Sequence, residues 1–584
     1  MPTSLVDADS LLAIDVGSVT TRAFMFDVVD GRYRFLAAGS AATTANAPFS
    51  DVGEGIREAL ENLQVITGKV LVGGDERLII PSTLDGSGVD MVAATISAGP
   101  PLKVVLVGLL EDVSLESARH LASTTYVRVV ETLSLNDRKK TETRIDSILR
   151  LRPDLVLMTG GTDGGASQSV LKLLEAVGLA NYWLPQENRF EVLYAGNQQL
   201  EDEVRATFGR LGPLHIAPNV QPELGVERLE GAKVQLADIF RIIRSRQLTG
   251  VRELDNWSGG GLLPTATSFG RVIRFLSQVY DSAKGVLGVD IGASATTLAA
   301  GFAGQLVQAV YPHLGLGHGA TGILHQATVS EIKRWLHVDL AEDDIRHYIY
   351  NKALYPNGVP ETHEDLAIEQ VMARMAMRLA LRGSSPNFPP QNLRYGPEFL
   401  PHFEPIVATG SVLTRAPNLG QTVLMLLDGL QPTGVTTLVL DQNHISPALG
   451  VTAAVNPLLA AQILESNTFQ NLGTIISPIG DAKPGTPVLR VRMSIEGGSE
   501  TTVDVKQGSI EVLKFPQGQE AQLSLTPLQR YDIGMGGPGR GGRLRVRGGA
   551  LGVIIDARGR PITMPGDPVR RRELIAKWRW VLGC

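Results

Sequence analysis

The chain has 584 residues, 43% of them hydrophobic, which is enough for several domains or one large composite domain with packed cores. Its 54 Lys and Arg against 60 Asp and Glu leave a net charge of −6, too mild to supply a general attraction for DNA or RNA. One cysteine, Cys584, excludes an internal disulfide framework and a multi-cysteine metal site, and it fits a reducing compartment. The opening M-P-T-S-L-V-D-A-D-S lacks the basic and apolar regions of a leader, and no apolar run reaches the roughly 18 to 20 residues of a membrane span. A cytoplasmic protein without a membrane partner is expected.

In chain order, Leu11 to about Ala38 reads as two strands around a tight turn. Apolar residues at helical spacing predict a helix over Asp51 to Leu63. Strands then alternate with helices. Strands are predicted at Lys103–Leu109, Tyr126–Leu133, Asp154–Thr159 and Phe190–Tyr194, and helices at Leu115–Ser123, Lys139–Leu151, Gln168–Val177 and Leu200–Phe208. Such alternation implies parallel βαβ units, here an inserted flavodoxin-like unit over about 102–220. Helices dominate from Lys233 to about Ile243, from Phe269 to Asp281, and from Gly322 to about Leu381, where the Pro/Asn-rich stretch Ser384–Asn392 breaks the pattern. Strands and helices resume to about Glu465. From Gly473 onward short strands, glycines and prolines predict a separate β-rich domain, 470–584, with an Arg-biased end.

Two segments echo each other. L-L-A-I-D-V-G-S-V-T-T-R-A-F-M-F-D runs from Leu11 to Asp27, and V-L-G-V-D-I-G-A-S-A-T-T-L-A-A-G from Val286 to Gly301. Each is an apolar strand ending in Asp, then a Gly turn, then Ser/Thr residues and another strand. Gly17 and Gly292 let backbone N–H groups approach an anion and form a nest for phosphate oxygens. Ser18, Thr20, Thr21, Ser294, Thr296 and Thr297 offer hydroxyl donors. Asp15 and Asp290 would repel phosphate; they suit Mg²⁺ held through water, or the orientation of an attacking water. One such hairpin is as readily an ordinary β-turn, but two copies favour a site that clamps a nucleotide from both sides. A third segment, I-V-A-T-G-S-V-L-T over Ile406–Thr414, brings Gly410 and Ser411 to the end of a strand, where a flat turn suits an adenine or ribose.

Between the hairpins lies L-V-L-M-T-G-G-T-D-G-G, Leu155–Gly165. Gly160, Gly161, Thr162 and Asp163 sit on a strand-to-helix loop, which favours a second ligand site or a docking loop, or is simply a turn that needs glycines. The ten histidines form no H-E-x-x-H, and His313 and His318 read as loop residues. No G-x-S-x-G elbow supports serine hydrolase chemistry. The Arg-rich tail is a solvated face or a contact for an acidic partner or RNA, and Trp578 and Trp580 pack a terminal helix or mark a surface.

The three turns, in this order, resemble the phosphate-1, phosphate-2 and adenosine motifs of the superfamily of actin, the heat-shock chaperone ATPases and the sugar kinases. Asp441–Ala454 resembles its closing helix, with Ala448 and Gly450 as small interdomain contacts. Within that superfamily the chain most resembles the glutamate mutase L family, through D-V-G-S-V-T-T-R, the G-G-T-D-G-G element, and A-P-N-V-Q-P at Ala217–Pro222. The resemblance implies an α/β, actin-like (ribonuclease H-like) ATPase fold of two duplicated halves, begun by 1–101 and completed by 221–465. It implies ATP and Mg²⁺ as ligands, with Mg²⁺ at Asp15, the lytic water at Asp290 and the β/γ-phosphates at Gly292–Thr297. The partner implied is an adenosylcobalamin-dependent carbon-skeleton mutase that the chain would serve as a chaperone-like reactivating factor. A slow ATPase follows, with binding expected more firmly than hydrolysis: the second loop is one residue longer than in many members, and Leu298 replaces their final Asp. A small-molecule kinase with Asp163 or another acid as base, and a filament or membrane platform, are the alternatives.

Overall fold

The computed structural model describes residues 9–392, 395–396, 399–495, 498 and 500–584. The stretch read for a leader thus lies mostly outside the described residues.

The chain opens with β1 (Leu11–Val16), β2 (Thr20–Val29) and β3 (Arg32–Ala42), an antiparallel meander, followed by β4 (Met91–Ile96) parallel to β1. Every residue of β1 is buried, as an unbroken apolar run in a central strand demands. The chain then leaves this sheet. It builds five parallel strands, β5 (Leu102–Val107), β6 (Val127–Leu133), β7 (Leu155–Met158), β8 (Glu191–Tyr194) and β9 (Leu214–Ile216), in the order β6-β5-β7-β8-β9. That is the flavodoxin-like order 2-1-3-4-5. One face of this inserted sheet shares a core with the first half, through Leu102, Val104, Leu106 and Leu121, and the other packs its own helices. The chain returns as β10 (Leu263–Pro264), two residues that finish the first sheet beside β4.

The second half repeats the plan. β11 (Gly285–Ile291), β12 (Thr296–Phe302) and β13 (Gln305–Tyr311) form the meander, with β14 (Phe403–Thr409) and β15 (Gly434–Leu440) parallel beyond β11. Numbered from its own start, each sheet has the order 3-2-1-4-5. In each half a helix follows the fifth strand: Thr265–Val279 after β10 and Ser446–Thr452 after β15. These two helices cross so closely that a Cβ on Gly450 would collide with the backbone of Ser268. Asp441 fixes the second helix by accepting from Ile445 N (3.0 Å), Ser446 N (2.7 Å) and Ser446 Oγ (2.6 Å).

The tail departs from the expected separate β domain. β16 (Gln470–Ser477) pairs with β15 and extends the second sheet. β17 (Pro487–Ile495) and β18 (Glu500–Lys506) then leave it, β19 (Ile510–Leu513) returns, β20 (Glu520–Pro527) and β21 (Gly542–Arg547) leave again, and β22 (Val553–Asp556) inserts between β16 and β19. Only β17, β18, β20 and β21 form a sheet of their own. The physical reason is apolar area. Leu472, Ile475, Ile510 and Ile554 are buried in the same core as β11 and β14, so this part of the segment completes the second half.

A buried ionic network ties that segment down. Arg558 grips both oxygens of Asp556 (2.8 and 2.9 Å) and reaches Asp428 Oδ1 at 2.6 Å, and Arg374 holds the other Asp428 oxygen at 2.8 Å. Trp578 of the last helix, Pro568–Val581, stacks on the Arg558 guanidinium at 4.8 Å. The arginines hold the Asp556 carboxyl far below its ordinary range. Removing one partner of a buried pair strands the other charge. Arg558→Leu should therefore destabilise the protein by about 3–5 kcal/mol in urea denaturation. A loss below about 1 kcal/mol would mean that the network does not anchor the tail.

Candidate functional site

The repeated sheets bring both hairpins to one cleft of about 590 Å³ between the halves. Asp15, Gly17, Ser18 and Thr20 line it from the first half, and Asp290, Gly292, Gly410 and Ser411 from the second. Eight of the expected site residues thus converge across more than 270 positions of sequence.

The turns are tight for a reason other than a left-handed backbone. Gly17 N donates to Thr20 O at 3.1 Å, and a Cβ on Gly17 would stand 2.6 Å from that carbonyl. Gly292 N donates likewise to Ala295 O at 2.9 Å. Gly410 does need positive φ, +123°, and its bare Cα lies against the Ile291 backbone. Among the described residues the N–H groups of Ser18, Val19, Ala293 and Ser294 have no protein acceptor. Ser18, Val19 and Ala293 line the cleft, so amides of both hairpins face it without a protein partner.

The carboxylates occupy equivalent positions. Asp15 pairs with Arg22 across β1/β2 and with Thr95 across β1/β4; Asp290 pairs with Thr297 and Thr409 in the same registers. Asp15 Oδ1 accepts from Thr95 Oγ1 (2.6 Å) and Thr265 Oγ1 (2.9 Å). Burial raises the Asp15 pKa, against the pull of Thr95, Arg22 and Thr265. Burial and then the Asp15 charge push Asp290 up to about 7. Two carboxylates whose charges oppose each other fit a divalent cation between them, as Mg²⁺ with most of its waters retained would require. Among the described residues no cluster of three or more acidic, His or Cys side chains forms a protein-only metal cage.

Other expected residues take different places. Thr21 and Thr20 are neighbours on one strand and so face opposite ways. Thr21 is buried and its hydroxyl bonds Thr43 Oγ1 at 2.9 Å, which in turn donates to Gly17 O. Thr296 Oγ1 donates to Leu314 O at 2.7 Å, and Thr297 is buried behind the cleft. The backbone of Ser294 packs near Gly315 and Gly319. The side chains of Thr21 and Thr296 brace the hairpins, and none of Thr21, Ser294, Thr296 and Thr297 lines the cleft.

Gly160, Gly161, Thr162 and Asp163 are not in the cleft at all. They follow β7 at the carboxyl edge of the inserted sheet, and three of that loop's glycines, 160, 161 and 164, have positive φ. Asp163 Oδ1 accepts from Gln198 N and Asn219 Nδ2, both at 2.9 Å, and Asn219 also donates to Gly161 O at 3.0 Å. The G-G-T-D-G-G and P-N-V-Q-P segments thus hold each other.

The cleft also contains residues that sequence reasoning passed over. Arg22 stands in the quoted motif, and its charge faces Asp15, Asp290 and Asp441. Arg415 and His444 line the adenosine-side wall, and burial with Arg22 and Arg415 nearby keeps His444 neutral. Lys352 donates to Gly358 O at 2.5 Å and to both oxygens of Glu369, at 3.2 and 3.1 Å. These two lie on ordinary amphipathic helices, where nothing in the spacing marks them.

Two repeated 3-2-1-4-5 sheets, hinged on a helix crossing and each presenting a Gly hairpin to one cleft, define an actin-like fold. A family model described as MutL protein matches residues 11–468, and the chain belongs to that family. Protein MutL of Clostridium tetanomorphum is 24% identical over 474 residues, covering 74% of this chain and 98% of that protein. Solved structures overlap only loosely. The nucleotide-free acetone carboxylase structure is 12% identical with a TM-score of 0.31, covering 86% of this chain and 81% of its own. A glycerol dehydratase reactivase is 10% identical with a TM-score of 0.30, covering 77% and 100%. No helix among the described residues is long and apolar enough to cross a membrane.

The raised Asp290 pKa makes stability depend on pH. The folded state keeps this proton up to about pH 7, whereas the unfolded chain loses it near 3.8. The folded form therefore loses stability as pH rises from about 4 to about 7, and stays lower above that. In metal-free buffer Asp290→Asn should gain stability over the wild type by up to a few kcal/mol between pH 5 and pH 8, less where cleft water screens the charge. Urea denaturation at the two pH values measures this, and a difference that does not grow with pH contradicts the assignment.

Proposed function

We propose that the cleft binds MgATP and that the chain is a chaperone-like, ATP-driven partner of an adenosylcobalamin-dependent carbon-skeleton mutase. The observation that carries the nucleotide reading is the convergence of Ser18 and Val19 with Ala293, backbone N–H groups of both hairpins that have no protein acceptor, on one cleft. The family membership supports the partner.

In this reading the two amide nests hold the phosphates, with Arg22 adding charge between them. Asp15, fixed in place by Thr95 and Thr265, would hold Mg²⁺. When bound, the cation neutralises phosphate charge and relieves the repulsion between Asp15 and Asp290. Asp290 orients the attacking water; with its pKa near 7 it is also placed to accept a proton once ionised. The Gly410 turn and Ser411 support the adenosine. Closure over the nucleotide changes the angle between the halves at the Gly450–Ser268 crossing, and that motion acts on the partner. Asp163 lies at the edge of the inserted sheet, held by Gln198 and Asn219, so in the kinase alternative the base would be another acid.

Titration calorimetry with ATP, with and without Mg²⁺, tests this reading. Asp15→Ala should weaken ATP binding at least tenfold in Mg²⁺, about 1.4 kcal/mol, and abolish most of the Mg²⁺ dependence. Slow hydrolysis stimulated by a mutase, with no added metabolite, supports the chaperone role. Equal ATP binding by both proteins places the site elsewhere, and fast turnover with one small hydroxyl compound makes the chain a kinase.

A further inference from the structure

Behind the cleft, three parts of the molecule meet at one side chain. Gln308, on β13 of the second half, donates from Nε2 to Ala266 O at 2.8 Å and to Thr124 O at 3.3 Å. Ala266 belongs to the crossing helix of the first half, one residue after Thr265, whose hydroxyl holds Asp15. Thr124 belongs to the inserted unit, just before β6. The neighbouring Val310 N, also on β13, donates to Ser123 O of the inserted unit at 2.7 Å. Gln308 is 8% exposed, Ala266 1% and Thr124 7%, so the joint is buried and no water replaces the donor at the Thr124 carbonyl if Gln308 withdraws.

The contact is built into both neighbours. A Cβ on Gly270 would collide with Oε1 of Gln308, so the amide lies flat on the bare backbone of the crossing helix. Tyr126, two residues after Thr124 and 6% exposed, lies beside Thr297 and Ala266, so an inserted-unit residue stands behind the second hairpin. Thr297 is the register partner of Asp290. The joint therefore connects to both hairpins: Ala266 adjoins Thr265, which holds Asp15, and Tyr126 lies beside Thr297, the register partner of Asp290.

We infer that Gln308 is a positioning residue that couples occupancy of the cleft to the inserted α/β unit, so that a partner engaging this unit sets nucleotide affinity and nucleotide sets the unit's state. The inference rests on the nucleotide reading of the cleft. Its physical basis is geometric. β11, β12 and β13 form one meander, so a shift of the second hairpin toward a bound phosphate moves β13 as well. Gln308 has one amide and two buried carbonyl acceptors on two other bodies. A displacement of β13 against either body stretches one of these bonds, and unless the inserted unit follows, the Thr124 carbonyl loses its donor. Linkage then makes the effect reciprocal.

Hydrogen exchange on the full chain, with and without MgATP, reads this directly. In the wild type MgATP should slow exchange at least threefold over 114–133, the helix and strand on either side of the joint. Gln308→Leu should bind ATP within threefold of the wild type, by calorimetry, yet lose the response over 114–133 while keeping it at the hairpins. Tyr126→Phe should reduce it. The inference is overturned if the wild type binds ATP with no change over 114–133, or if Gln308→Leu keeps the full change. That outcome leaves the nucleotide reading standing. Failure of the wild type to bind ATP removes that reading, and this inference with it.

Discussion

Asp15 and Asp290 carry like charges into one buried space, and Arg22 is the cation set between them. This arrangement is costly for an empty protein, since desolvation and mutual repulsion both oppose ionisation. In the proposed complex a divalent cation would neutralise the carboxylates, and the hairpin amides and Arg22 would neutralise the phosphate, which would offset that cost. The rest of the molecule keeps these groups apart by a fixed amount. Thr95 and Thr265 lock Asp15, and the close helix crossing at Gly450 sets how far apart the two sheets can stand.

The hinge and the clamp are parts of one repeated design. In each half the Asp sits at the end of the first strand, its turn opens the cleft, and the helix after the fifth strand carries the interface. The halves differ where function would require it. The first half opens between its fourth and fifth strands to admit the inserted α/β unit. The second recruits three strands from the tail and is anchored by the Arg558 network. The inserted unit is thus held by the half that carries Asp15 and touched by the half that carries Asp290.

What the sequence made legible was local. An apolar run ending in Asp and Gly names a hairpin, and strict alternation of strand and helix over 102–220 names a parallel sheet, because both patterns are set by neighbours in the chain. What escaped was set by distant partners. β10 is two residues long and exists as a strand only because β4 lies beside it. β16, β19 and β22 carry the apolar pattern of any short strand, and nothing local says that they join the second half. Strand alternation separates Thr20, which lines the cleft, from Thr21, which braces the turn, although the motif treats them alike. The G-G-T-D-G-G loop has the composition of a phosphate site. Its three positive-φ glycines and the Asn219–Asp163 bond fix it at the edge of the inserted sheet, away from the cleft.

The central claim is that one polyphosphate is held by both hairpins at once. The most direct measurement is a crystal structure of the full chain with Mg²⁺ and a non-hydrolysable ATP analogue. The account predicts phosphate oxygens within hydrogen-bond distance of the Ser18 or Val19 amide and of the Ala293 or Ser294 amide, with the cation beside Asp15 and the base against the Gly410 turn. An analogue bound outside this cleft, or touching one hairpin while the other stays bare, would contradict it.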